Sequence, residues 1–103
     1  MIVAANGLFG SEDSVMIRPV THFVYMLRCA DGSLYTGAAK DWQHRLKLHM
    51  SGRAAKYTRS RRPVQLVLLE PHTSKSAALK AEAAIKRVPK LEKERYVRAG
   101  RSR

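Results

Sequence analysis

Acidic residues are scarce in this sequence. Eight Asp and Glu stand against twenty Lys and Arg in 103 residues, a formal net charge of +12. That surplus exceeds what solubility asks for, and its natural counterpart is a polyanion. Cysteine is almost missing: Cys29 is the only one, so an internal disulfide is excluded and a thiolate zinc site lacks material. Set in an apolar run, Cys29 reads as a small buried hydrophobe rather than a nucleophile. No stretch approaches the roughly 20 apolar residues of a membrane span. Lipidation signals are also missing, and Met1 to Val20 lacks the basic start and long apolar run of a secretory signal. Nucleic acid is therefore favoured over a membrane surface as the partner, and the cytoplasm is the expected compartment. With 45% hydrophobic residues in 103, the chain can bury one modest core, which excludes a second catalytic domain.

The pattern along the chain divides it in three. Residues 1–21 carry Asn6-Gly7, Gly10-Ser11 and the acidic pair Glu12-Asp13 without sustained periodicity, and read as a loosely ordered extension. Residues 22–97 hold the regular elements, and 98–103 read as a basic tail. His22 to Cys29 is aromatic and aliphatic and ends at the turn signal Ala30-Asp31-Gly32-Ser33 before Leu34-Tyr35-Thr36-Gly37, which predicts a β-hairpin. Asp41 suits a helix N-cap, followed by Trp42, Leu46 and His49 at helical spacing up to Met50. Between Arg53 and Arg62 the periodicity stops and cations crowd together, a basic loop. Val64 to Glu70, bounded by Pro63 and Pro71, is a third strand, apolar enough to lie in mid-sheet or under a helix. Ser74 or Ser76 can cap an alanine-rich helix, and Pro89 ends it or opens a further helix through Val97. The expected fold is α/β, a small, largely antiparallel three-stranded sheet flanked by helices.

Five residues are candidates for a reactive centre. Tyr25 and Tyr35 occupy the two hairpin strands, where a tight turn brings such positions together on one face. Arg45 and His49 are one helical turn apart and point the same way. Glu82 is the only acid in the alanine-rich helix. Phosphodiester hydrolysis needs an activated water, cations for the charge on phosphorus and help for the departing oxygen, and these five side chains can cover all three. A two-metal centre gathers several carboxylates. Because Asp31 and Asp41 already have structural roles, Glu82 is left nearly alone and one metal ion is the sensible number. His22, His44 and His72 show no metal-ligand spacing.

Phe23-Val24-Tyr25 and Tyr35-Thr36-Gly37 resemble the paired triplets of the GIY-YIG endonuclease superfamily. The tyrosines are ten positions apart, Arg45 comes ten further on, and His49 and Glu82 follow in the family's order. Phe23 stands in a glycine position of that pattern, Thr36 in an isoleucine position and Ala38 where some relatives carry lysine. The resemblance covers about Phe23 to Val97, and the compact size is similar to the small stand-alone bacterial YhbQ-like branch. It implies metal-dependent hydrolysis of DNA with a single Mg or Mn ion held by Glu82, in repair or recombination by family analogy.

By the same resemblance, Tyr35 acts as general base or orients the attacking water, with Tyr25 lining the site. A phenol with a pKa near 10 needs help to act as a base, and His49 is placed to accept Tyr35's proton. Arg45 holds the scissile phosphate. Arg53, Lys56, Tyr57, Arg59, Arg61 and Arg62 are the expected nucleic-acid contacts. The chain is expected to act as a monomer or weak dimer. The competing reading is a nucleic-acid-binding module that keeps the nuclease fold with little or no turnover. A basic factor engaging a ribosomal or protein complex is a third class.

Overall fold

A computed structural model describes residues 18–101. Residues 1–17 of the expected extension and residues 102 and 103 of the expected tail lie outside the described part. Thr21, at the end of that extension, is already tied to the sheet, its N–H donating to the carbonyl of His72 at 3.0 Å.

The hairpin forms where the sequence places it. β1 is His22–Arg28 and β2 is Leu34–Ala39. In the turn between them Asp31 Oδ1 accepts from the Ser33 N–H at 3.0 Å and the Ser33 hydroxyl at 2.6 Å. Gly32 sits at φ +86°, a backbone region that suits a residue without Cβ.

β3, Gln65–His72, pairs antiparallel with β1, giving the order β2-β1-β3. Of the two expected placements, mid-sheet or under a helix, the second holds: β3 is an edge strand beside the central β1, and it lies under α3 and α4. The apolarity of β3 comes instead from cover on both faces: Val67 and Leu68 face one core cluster, Val64 and Leu69 the other. Pro71 lies inside the strand rather than beyond it, which an edge permits because one side of the backbone needs no ladder partner.

The helices also start where chemistry favours them. α1, Trp42–Met50, is capped by Asp41, whose carboxylate accepts from the His44 N–H at 3.0 Å. A one-turn α2, Lys56–Arg59, interrupts the segment expected to be only a basic loop. α3, Lys75–Arg87, is capped by the Ser74 hydroxyl, which accepts from Ala77 N–H at 3.0 Å. α4 begins after Pro89 and runs Lys90–Arg101, so residues 98–101 are helical where the sequence suggests a tail.

Strand alternation sorts the core into two layers. Val24 and Met26 face Ala78 and Ile85 of α3 and Val97 of α4. Tyr25 and Leu27 face the opposite way, among Cys29, Val64, Leu69, Trp42 and Leu46. α4 brings little apolar surface and is fastened by polar contacts. Arg28 donates two hydrogen bonds to Glu94 at 2.5 and 2.8 Å, and Lys90 adds one at 2.7 Å. These bonds, Arg28 foremost, hold the Glu94 carboxyl well below the usual range, at about 2. Tyr96 donates its hydroxyl proton to Glu70, whose other oxygen meets His72 Nε2 at 2.8 Å.

Thr36 is 4% exposed, and its hydroxyl has no hydrogen-bond partner among the described residues. A buried hydroxyl left unpaired costs about 1–3 kcal/mol. Thr36→Val keeps the shape and removes that penalty, so the variant is expected to gain about 1 kcal/mol and melt roughly 4–8 °C higher. Thermal denaturation checks this, and an unchanged or lower midpoint would mean the hydroxyl is satisfied.

Candidate active site

The odd-numbered face of β1 and β2 carries the reactive groups. Tyr25 lies directly opposite Gly37 in the β1–β2 register, and its ring occupies the space a side chain there would need. A Cβ on Gly37 would fall 2.5 Å from both Cζ and the hydroxyl oxygen of Tyr25, well inside van der Waals contact. Gly37→Ala is therefore expected to push the phenol out of place. Overpacking of this kind costs about 1–3 kcal/mol of stability, which denaturant unfolding measures.

Tyr25 is 2% exposed, and His49, the last residue but one of α1, is fully buried. Tyr25 Oη and His49 Nε2 are 2.9 Å apart. The other ring nitrogen, Nδ1, is 2.8 Å from the hydroxyl of Thr58, on α2. Thr58 is itself fully buried and lies 3.1 Å from the Ala55 carbonyl, to which it donates. Arg45, one turn earlier on α1 than His49, is near enough for its positive charge to act on both Tyr25 and His49.

Burial pushes the Tyr25 phenol above its ordinary pKa of 10.0. The nearby Arg45 guanidinium pulls it back, while the charges of Tyr35 and Glu82 raise it. Burial, reinforced by the Arg45 charge, holds His49 below its ordinary 6.5, so at neutral pH its imidazole is uncharged and free to accept a proton.

Tyr35 is placed differently from the expectation. Its ring lies 5.0 Å from that of His49 and 6.5 Å from that of Tyr25. Both nitrogens of His49 are already engaged, by Tyr25 and Thr58, so the imidazole serves Tyr25 and not Tyr35. The outer face of Tyr35 stacks on Tyr57 at 6.0 Å, with ring planes 29° apart. Glu82, on α3, acts on this centre through its charge. Its side chain is 18% exposed, 3.2 Å from Lys86 Nζ, and near enough to Tyr25 to disfavour the phenolate.

The expected nucleic-acid contacts split into two groups. The Arg61 guanidinium sits 3.9 Å from the centre of the Tyr57 ring, its Nε is 3.1 Å from Asp31, and it donates to the Tyr57 carbonyl at 2.9 Å. Arg62 donates to the Arg59 carbonyl at 3.1 Å and the Met50 carbonyl at 3.4 Å. Arg61 and Arg62 thus brace the α2 segment. Arg53, Lys56 and Arg59 are exposed and carry no side-chain hydrogen bond or ion pair among the described residues, and Tyr57 is 38% exposed. No cluster of three or more metal-ligating His, Cys, Asp or Glu occurs among the described residues.

Comparison with known proteins bears directly on this arrangement. Residues 21–95 match the family model of the GIY-YIG catalytic domain. The chain belongs to the GIY-YIG family. Its two tyrosine triplets are the hairpin just described, and the match takes in every element from β1 to the first half of α4. The chain is 51% identical over 79 residues to a UPF0213 protein of Staphylococcus epidermidis, covering 77% of this chain and 96% of that one. It is 50% identical over 78 residues to a UPF0213 protein of Staphylococcus aureus, covering 76% and 95%.

Two structures solved in solution are also similar. The UPF0213 protein of Bacillus halodurans has a TM-score of 0.52 at 44% identity, over 76% of this chain and 83% of that one. A protein of E. faecalis has a TM-score of 0.55 at 39% identity, over 80% and 88%. The α/β architecture, an antiparallel three-stranded sheet with flanking helices, matches these solved relatives, and the GIY-YIG catalytic domain points to the nuclease family.

The sequence reading missed Thr58, the clearance at Gly37 and the Asp31–Arg61 brace. Thr58 is surrounded in sequence by Lys56, Tyr57 and Arg59, and nothing in its own neighbourhood marks it as the partner of a histidine nine positions earlier. Gly37 had a signal, because its Cα faces a tyrosine once the hairpin register is drawn.

Proposed function

We propose that this protein is a metal-dependent endonuclease that hydrolyses DNA phosphodiester bonds. The observation that carries the reading is the buried contact between Tyr25 and His49 at 2.9 Å, with the Arg45 charge acting on both. A phenol touching a neutral imidazole, with a guanidinium nearby, is arranged for proton transfer next to a phosphate.

As water attacks phosphorus, its proton passes to the Tyr25 oxygen while Tyr25 gives its own proton to His49 Nε2. The P–O bond to the departing strand then breaks. Arg45 offsets the charge building on the phosphoryl oxygens, a task that suits the guanidinium fork. Tyr35, held between His49 and Tyr57, orients the water. Arg53, Lys56 and Arg59 grip the strand's backbone, with Tyr57 offering a face for a base; Arg61 and Arg62 keep that segment in shape.

A lone, partly shielded carboxylate suits Mg²⁺ or Mn²⁺, which are commonly held by one or two carboxylates together with substrate phosphates, and does not suit zinc. Glu82 would hold that ion. When bound, it supplies positive charge at the departing oxygen.

The test is cleavage of single-stranded, double-stranded and branched DNA in Mg²⁺ or Mn²⁺, with a chelator arm and the Glu82→Ala protein as control. Products are expected that vanish with chelator. No cleavage above the Glu82→Ala background would overturn the enzyme reading. The three unpaired cations Arg53, Lys56 and Arg59 favour the second reading, a binding module with little turnover. It requires salt-sensitive DNA affinity without products in any metal.

A further inference from the structure

The hydroxyl of Thr58 has a place in this chemistry that its position in a basic segment does not advertise. The hydrogen bonds through the buried centre run in one direction, and the Ala55 carbonyl decides which. That carbonyl can only accept, so the Thr58 proton points to it across 3.1 Å. The Thr58 oxygen then has lone pairs left for His49 Nδ1 at 2.8 Å, and Nδ1 must carry the hydrogen. Nε2 is left as an acceptor, 2.9 Å from the Tyr25 hydroxyl that can donate to it.

We infer that Thr58 is a positioning residue that locks His49 in the Nδ1–H tautomer, keeping the Nε2 lone pair aimed at the Tyr25 hydroxyl. With the opposite tautomer, Nε2–H would donate into the Tyr25 oxygen. The phenol would lose its proton acceptor, and the Ala55 carbonyl would lose the Thr58 hydroxyl proton. Since His49 and Thr58 are both fully buried, water offers no substitute partner for Nδ1. α2, a single turn of helix, thereby becomes part of the proton-transfer device rather than a connector.

This inference deepens the nuclease reading and rests on it in its kinetic arm only. The first arm is independent of catalysis: long-range ¹H–¹⁵N correlation spectra of the full chain at neutral pH report which nitrogen of His49 is protonated. Nδ1–H is expected. A resonance pattern showing Nε2–H as the dominant form overturns the inference, whether or not the protein cuts DNA.

The second arm compares Thr58→Val, which keeps the shape and loses the hydroxyl, with Thr58→Ser, which keeps the hydroxyl. Thr58→Val should shift population toward Nε2–H and lower kcat on a DNA substrate with Mg²⁺ by about 10²-fold, the scale of a lost general base, with KM unchanged. Thr58→Ser should restore both the tautomer and most of kcat. A folded Thr58→Val protein with wild-type tautomer and wild-type kcat would sink the proposal. Cleavage absent from every protein, with Nδ1–H observed, would leave the tautomer lock standing and remove the nuclease reading.

Discussion

On the proposed nuclease reading, Glu82→Ala is expected to bring metal-dependent cleavage down to the background of DNA incubated alone, a loss on the order of 10³-fold or more if the ion contributes about 4 kcal/mol to the barrier. Glu82 is the carboxylate whose charge bears on the Tyr25 phenol. No cluster of metal-ligating side chains among the described residues could replace it. The fold should tolerate the change. The Glu82–Lys86 pair is an i,i+4 contact whose lysine is largely in water, and such pairs contribute about 0.3–0.5 kcal/mol. The melting temperature should therefore hardly move while turnover disappears.

A second signature follows from sign alone. The carboxylate next to Tyr25 disfavours the phenolate, so its removal should lower the phenol's pKa, observable by ultraviolet titration. Cleavage undiminished in a folded Glu82→Ala protein would show that the ion, if used, is held elsewhere.

Arg45→Ala is expected to cost about 10²–10³-fold in kcat, the scale seen when one positioned donor to developing charge is removed. Arg45→Lys should recover only part, because a point charge cannot span two phosphoryl oxygens as a guanidinium does. The pH profile carries further information. His49 is depressed first by burial and then by the Arg45 charge. Without Arg45 the burial remains and the repulsion is gone, so the His49 pKa rises toward, but stays below, 6.5. As an acceptor His49 must be neutral. The acid limb of the rate profile should therefore move to higher pH in Arg45→Ala. An acid limb that stays in place, with residual activity sufficient to measure it, would mean that the limb belongs to another group.

Local chemistry made much of this molecule readable beforehand. The Asp31 turn, the Asp41 cap and the Ser74 cap each satisfy backbone donors within a few residues, and such short-range bonds leave marks in sequence. The convergence of Tyr25, Arg45 and His49 was readable because strand and helix periods put them on defined faces. The place of β3 was not: an apolar run looks alike at the centre of a sheet and at an edge covered on both faces. Thr58 and Arg61 were hidden for a related reason. Their partners, His49 and Asp31, are set by how α2 folds back, and a segment dense in cations looks the same whether its members face water or brace a tyrosine. The proton's destination needed coordinates as well, since only interatomic distances separate Tyr25 from Tyr35 as the partner of His49.

The centre has two separate origins in the chain. In the proposed mechanism, everything that handles protons or grips the phosphate, from Tyr25 to Arg59, comes from one unbroken stretch that folds as hairpin, helix and single turn. The carboxylate alone arrives from α3, which packs against the opposite side of the sheet from α1. A single substitution in α3 could therefore silence cutting and leave the grip intact, and reversing it would restore the cutter. In a lineage built on this plan, scissors and clasp stand one codon apart, and the first can become the second without passing through an unfolded ancestor.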